Sequence, residues 1–179
     1  MDKHAQIRSE SAAFAALHRN VHETFRRRAK DKDGEHAHTE ACRKFHAFEL
    51  SILKVLSDGA RVRLLAGDPE LVEWAIAYIE VDPYHFASGY YKTALLRRLK
   101  WVALSERQKK RLQAVVLRCL DDPRRSPNYY LRIAASIQTP HFIESIRIRL
   151  DSPLATLRMN AAKLLGYLEN FGRYRRGKD

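Results

Sequence analysis

Apolar residues along this chain recur with a helical period and do not alternate. Leu71, Val72, Ala75, Ile76 and Ile79 fall on one stripe. Leu112, Val115, Val116, Cys119 and Leu120 form a second, and Leu154, Leu157, Ala161, Leu164, Leu165 and Leu168 a third. Steps of three and four residues put each set on one side of a helix. No sustained period-two stretch argues for a strand. The pattern predicts helices over residues 5–29, 38–57, 69–80, 84–103, 106–121, 127–137, 140–150 and 153–170, with a further short turn near 60–66.

The prolines predict where those helices begin. Pro69, Pro83, Pro123, Pro127, Pro140 and Pro153 follow Asp68, Asp82, Asp122, Ser126, Thr139 and Ser152. Each predecessor carries an oxygen able to accept from an orphaned helix N–H, and proline is tolerated just inside a helix start. Each pair therefore reads as a start, with Asp122-Pro123 a turn ahead of Ser126-Pro127. Ser105 and Gln108 add a capping box. Before Asp68 there is no proline. Two longer helices there are joined by the charged loop Lys30 to Glu35, which contains Gly34. Residues 1–58 read as a helical hairpin packed as a cap on an array over 59–170, with a basic tail at 171–179. One structural domain is expected overall.

The array nearly repeats itself. Leu120-Asp121-Asp122-Pro123 recurs as Leu150-Asp151-Ser152-Pro153, Leu131-Arg132 as Leu157-Arg158, and Ala134-Ala135 as Ala161-Ala162. Asp82-Pro83 precedes Tyr90-Tyr91 much as Asp122-Pro123 precedes Tyr129-Tyr130. Such self-similarity marks stacked helical units. Leu157, Arg158, Ala161, Ala162, Leu164, Leu165 and Gly166, within SPLATLRMNAAKLLGYL, resemble the second-helix pattern of the HEAT-repeat family. The likeness covers residues 68–169, matching less fully at Leu131-Arg132-Ala134-Ala135 and only by its opening at 84–103. The uneven spacing of Pro83, Pro123 and Pro153 departs from that family's steadier period. The resemblance implies an all-α fold, a short irregular α-α superhelix used for binding. It implies no reaction. It also implies that Arg132 and Arg158 can serve as inter-repeat hydrogen-bond donors.

Composition narrows the partner. The 179 residues are 45% hydrophobic and 30% charged, as in ordinary soluble domains, and carry a formal charge of +12. That field favours nucleic acid, an acidic protein or an anionic surface. The segment from Arg97 to Arg111 concentrates it: Arg97, Arg98, Lys100, Arg107, Lys109, Lys110 and Arg111 face a lone acid, Glu106. With Arg132 and Arg158 these residues form the expected binding face. Lys109, Lys110 and Arg111 sit in a first helical turn, against the macrodipole, which hints at function. Arg26-Arg27-Arg28 with Lys30, Arg124-Arg125 and the tail are further basic groups. Tyr90, Tyr91, Trp101, Tyr129 and Tyr130 read either as stacking platforms for bases or as packing between repeats.

Histidine offers a second candidate. Most of the eight lie in the first quarter of the chain. His18, His22, Cys42, His46 and Glu49 fall on or beside the apolar stripes of the N-terminal hairpin. Converging there, they could bind zinc or another transition metal. The alternative is a His–Glu hydrogen bond within a small core. Cys42 and Cys119 read as free thiols of a reducing cytoplasm, with Cys119 a core residue. No uninterrupted apolar leader is expected, and no run approaches the ~20 residues of a membrane span.

No glycine-rich phosphate loop, G-x-S-x-G elbow or kinase set is present, so no catalytic residue is assigned. The expected function is non-catalytic binding of an acidic protein or nucleic acid. The competing reading is a nucleic-acid-acting enzyme on the same scaffold, for which Trp74, Trp101, Asp68, Asp82 and Asp122 are candidates by residue type.

Overall fold

The computed structural model describes residues 2–122 and 127–176, the last five by their backbone alone. The Pro123, Arg124-Arg125, Ser126 and basic-tail expectations lie outside the described side chains. Among the described residues the chain is all-α, with no strand. Its helices are α1 (Lys3–Phe25), α2 (Lys32–Ala47), α3 (Ser51–Leu56), α4 (Asp58–Leu65), α5 (Pro69–Val81), α6 (Ser88–Leu99), α7 (Glu106–Asp121), α8 (Leu131–Ser136), α9 (Pro140–Arg147) and α10 (Ala155–Arg176). Short 3-10 turns cover Pro127–Tyr129 and Ile148–Asp151.

At the centre lies α5. Val72, Ala75, Ile76, Ala77, Tyr78 and Ile79 are all buried, so apolar side chains leave it in nearly every direction. α1, α3, α4, α6 and α7 pack around it. The α7 stripe is buried throughout, from Leu112 to Leu120. In α10, Ala161, Leu164, Leu165 and Leu168 are buried, while Leu154, just before the helix, is exposed. α10 closes the far side by packing on α7, α8 and α9. Asp121 of α7 accepts from Arg149 at 2.7 Å, linking the two Leu-Asp segments of the near-repeat.

Several starts form as expected. Asp68 accepts from Glu70 N and Leu71 N, Thr139 from Phe142 N, and the Ser105–Gln108 box is complete. α4 realises the expected turn near 60–66. It ends in a Schellman arrangement: Asp68 N donates to Arg63 O and Gly67 N to Leu64 O, with Gly67 at φ +84°. Stop and start are thus joined, because Asp68 then caps α5.

Five boundaries differ from expectation. Asp82 does not start a helix. Its N–H donates to Tyr78 O and its φ is +49°, so it ends α5 in the left-handed region that Asp tolerates. α6 accordingly begins at Ser88, not near 84. The loop at 30–35 is largely helical. Asp31 caps α2 by accepting from Gly34 N at 2.7 Å, and a Cβ at Gly34 would collide with Arg27 O. The helix expected over 38–57 breaks at Phe48–Leu50, where α3 gets its cap from elsewhere. Glu10 of α1 accepts from Ser51 N at 2.9 Å and from Ser51 Oγ at 2.5 Å. The helix expected over 127–137 splits into a 3-10 turn and α8, and that over 140–150 ends as a 3-10 turn.

An aromatic cluster with a buried histidine ties the N-terminal pair to α5. Phe14 stacks on Phe45 at 4.7 Å and meets His85 edge-on at 5.5 Å. His85 is buried in the α5–α6 loop. Its Nδ1 donates to Phe86 O at 2.8 Å, which leaves Nε2 to accept from the Tyr78 hydroxyl at 3.1 Å. No helix among the described residues is long and apolar enough to cross a membrane.

Two expectations test this frame. Gly67→Ala meets no atom, yet forces a Cβ into the left-handed region; it should cost about 1 kcal/mol in urea denaturation. Burial holds His85 below its ordinary 6.5, because the charged ring is poorly solvated there. The unfolded chain then takes up this proton first, so stability should fall as pH drops through about 6.5. His85→Gln should flatten that slope in urea titrations from about pH 7.5 to about 5.5.

Candidate functional site

α6 buries Leu95, Leu96 and Leu99 against the core. The opposite face therefore carries Tyr90, Ala94, Arg97 and, just past its end, Trp101. These follow the helical spacing of four and three residues. Three adjoining cavities open along this face, and Arg97 lines all of them. The first, about 410 Å³, lies toward Tyr129, Arg132 and Tyr167. The second, about 710 Å³, lies between Tyr90, Lys92 and Tyr129. The third, about 340 Å³, is bounded by Arg61, Leu65, Arg98 and Trp101.

Among the described residues, no Asp or Glu lines any of the three. Arg97 and Arg132 are exposed and make no ion pair among the described residues. Burial and the neighbouring Arg61 guanidinium pull the Arg98 guanidinium below its ordinary value, against a smaller opposing effect of Asp58. Arg98 is anchored rather than free: it donates to Val55 O at 3.1 Å and Leu56 O at 2.9 Å, holding the end of α3. Lys100 lies 4.7 Å from the Trp101 ring centre.

The paired tyrosines divide. Tyr91 packs on the core and Tyr130 is buried, whereas Tyr90 is 82% and Tyr129 64% exposed. The two outward members line the same cavity. Trp101 is 71% exposed at the other end. One tyrosine of each pair thus packs on the core while the other faces outward.

A fourth cavity, about 730 Å³, adjoins the second through Gly89, Lys92 and Tyr129 but is lined by Asp82 and Asp122. Here Lys92 pairs with the nearly buried Asp82 carboxylate. Burial lowers the Lys92 ammonium and pushes the adjacent Cys119 thiol up to about 11, so the thiol stays protonated.

The rest of the expected basic face is divided by the fold. Arg111 points into the helix bundle. It donates to Glu80 at 2.7 and 2.6 Å and to Glu73 at 2.5 Å. The Glu80 bonds hold its guanidinium well above the ordinary value. Burial pushes both carboxyls up, but bonds from Gln108 and Arg111 to Glu73, and from Arg111 and His4 to Glu80, outweigh it. Both sit below their usual value of 4.5. Lys109 pairs with Glu106 at 2.7 Å. Arg107 and Lys110 are exposed on α7. Arg158 donates to Ser152 O at 2.7 Å and Pro153 O at 3.0 Å, closing its own turn rather than bridging to the preceding unit. Of the nine residues, Arg97, Arg98 and Arg132 come together along the cavities. Arg61, Lys92 and Tyr167 join them with no signal in the sequence.

The five candidate metal ligands do not converge. His18 Nε2 lies 3.3 Å from His22 Nε2, while Cys42 Sγ turns to His38 Nε2 at 3.6 Å. The Phe14–Phe45 stack occupies the seam, and His46 and Glu49 are exposed. No group of three or more His, Cys, Asp or Glu among the described residues is placed to hold a metal.

The division of the cations has a measurable consequence. Arg111→Ala should destabilise the fold by about 1–3 kcal/mol, because it strips charged hydrogen bonds from two half-buried carboxylates. The stability they contribute is present above about pH 4.5 and lost as pH falls through their lowered values, and this acid limb should shrink in the variant. Arg97→Ala should stay within about 0.5 kcal/mol of the parent in the same urea titration.

Comparison with family models, with curated protein sequences and with solved structures gives no match to this chain.

Proposed function

We propose that the chain is a non-catalytic binding protein that engages a polyanionic partner along the α6 groove. One observation carries the reading. Three contiguous concavities share Arg97, add Arg132 in the first, Lys92 in the second and Arg61 with Arg98 in the third, and have no carboxylate among their described lining residues. A concave wall of one charge focuses the field and favours an oppositely charged ligand. The reading keeps part of the expected face, Arg97, Arg98 and Arg132, and moves its centre from α7 to α6. It favours binding over catalysis, since a reaction on nucleic acid would call for an acid or base in the concavity. The serial stacking of α5 to α10 as a short HEAT-like array belongs to the same proposal. The near-repeat and the Asp121–Arg149 bridge between its two copies support it.

Heparin and DNA columns should retain the protein in a salt-sensitive way. Replacing both Arg97 and Arg132 with Glu should move elution to clearly lower salt. Replacing the exposed Arg107 and Lys110 with Glu should have the smaller effect. The reverse order would place the binding face on α7 and end the groove assignment.

A further inference from the structure

We infer that the occupant of the groove is a single-stranded nucleic acid. Its bases stack on Tyr90, Tyr129 and Trp101, and its phosphates meet Arg97, Arg132 and Arg61. The inference rests on the groove being a polyanion site, and it names the partner.

The aromatic residues distinguish the partner from other polyanions. Heparin, an acidic protein segment and a duplex backbone all offer anions to the cations. An unpaired nucleobase adds a flat face that an exposed ring can stack on. Single exposed apolar residues need no explanation, but here three lie along one strip whose cations are shared. Packing does not require them there. Each tyrosine pair supplies its core contact through Tyr91 or Tyr130, and the neighbouring Tyr90 or Tyr129 is left 82% or 64% exposed. Trp101 is 71% exposed beyond the end of α6. Rings of this kind hold nucleobases by their faces without selecting a sequence. In a duplex those faces are covered by neighbouring base pairs, so only an unpaired strand offers them.

Dimensions and charge agree. From Tyr90 to Trp101 the strip runs about 16 Å at the ~1.5 Å rise of a helix. That is room for roughly four or five phosphates at the ~3.4 Å spacing of a stacked strand. Arg97 lies midway and lines every cavity, while Arg61 and Arg132 flank it on α4 and α8. Lys92, at the edge, is already paired with Asp82, and the next cavity carries carboxylates. The three cavities that share Arg97 are thus the part of this face whose described lining carries cations without carboxylates.

The test compares ligands on the full chain. Labelled oligo(dT) and oligo(U) of about 12 nucleotides are titrated by anisotropy beside a duplex of equal length, heparin and poly-glutamate. Single strands should bind at least about tenfold more tightly than the duplex and should quench Trp101 emission, with Trp101→Phe separating that signal from Trp74. Tyr90→Ala and Trp101→Ala should each weaken single-strand binding by about 5- to 150-fold, leaving the salt dependence unchanged. Arg97→Gln should weaken all polyanions and lower the salt slope by about one. Circular dichroism melts should match the parent, since the substituted side chains are exposed. Equal affinity for duplex and heparin, with both aromatic variants at parental strength, would overturn the single-strand inference and leave the polyanion groove intact. Preference for poly-glutamate would overturn it in favour of an acidic protein. Binding of no polyanion would overturn both readings.

Discussion

Burial of α5 on nearly all sides is the constraint from which the rest follows. A helix whose Val72 and Ala75 to Ile79 are all removed from water must be surrounded, and α1, α3, α4, α6 and α7 do so. Its two inner carboxylates, Glu73 and Glu80, then need partners, because a half-buried charge without one is costly. Arg111 and Gln108 arrive from α7, and His4 arrives from α1. The ion cluster therefore orients two neighbouring helices about the central one as well as satisfying it. Burial of α5 and the direction of Arg111 are one fact seen from two sides.

The same packing sorts the cations around α5 and α6 into paired and outward-facing ones. Acids are engaged where the packing demands them: Glu73 and Glu80 on α5, Asp82 on Lys92, Asp121 on Arg149. None lines the three cavities that share Arg97, among the described residues. Arg97 and Arg132 remain facing water there without an ion pair among the described residues. The arginine on α6 and the arginine on α7 belong to one basic run in sequence, yet one lines a groove and the other closes a core.

The tyrosine pairs show the same logic for apolar surface. Adjacent residues in helical backbone point roughly 100° apart. A pair such as Tyr90-Tyr91 can therefore pack once and face outward once. The same division at Tyr129-Tyr130 brings the two outward rings to one cavity, through the contact of α6 with α8.

Much of the helical framework was legible in the chain itself. The α5, α7 and α10 stripes, the caps at Asp68, Thr139 and Ser105, and the absence of strand patterning all depend on neighbours within four residues. What was not legible depended on distant groups. The break before α3 has no local cap residue, because Glu10 supplies the cap from α1. Asp82-Pro83 has the composition of a start but serves as a stop, since Lys92 holds its carboxylate and its N–H completes α5. His18, His22, Cys42, His46 and Glu49 share helix faces by spacing, but an aromatic stack fills the seam between them. Local periodicity and capping thus determined the all-α class and most of the core, because those interactions are short in sequence. Tertiary contact decided that Arg111 turned inward while Arg97 faced outward, because the Glu73 and Glu80 partners of Arg111 lie more than thirty residues away.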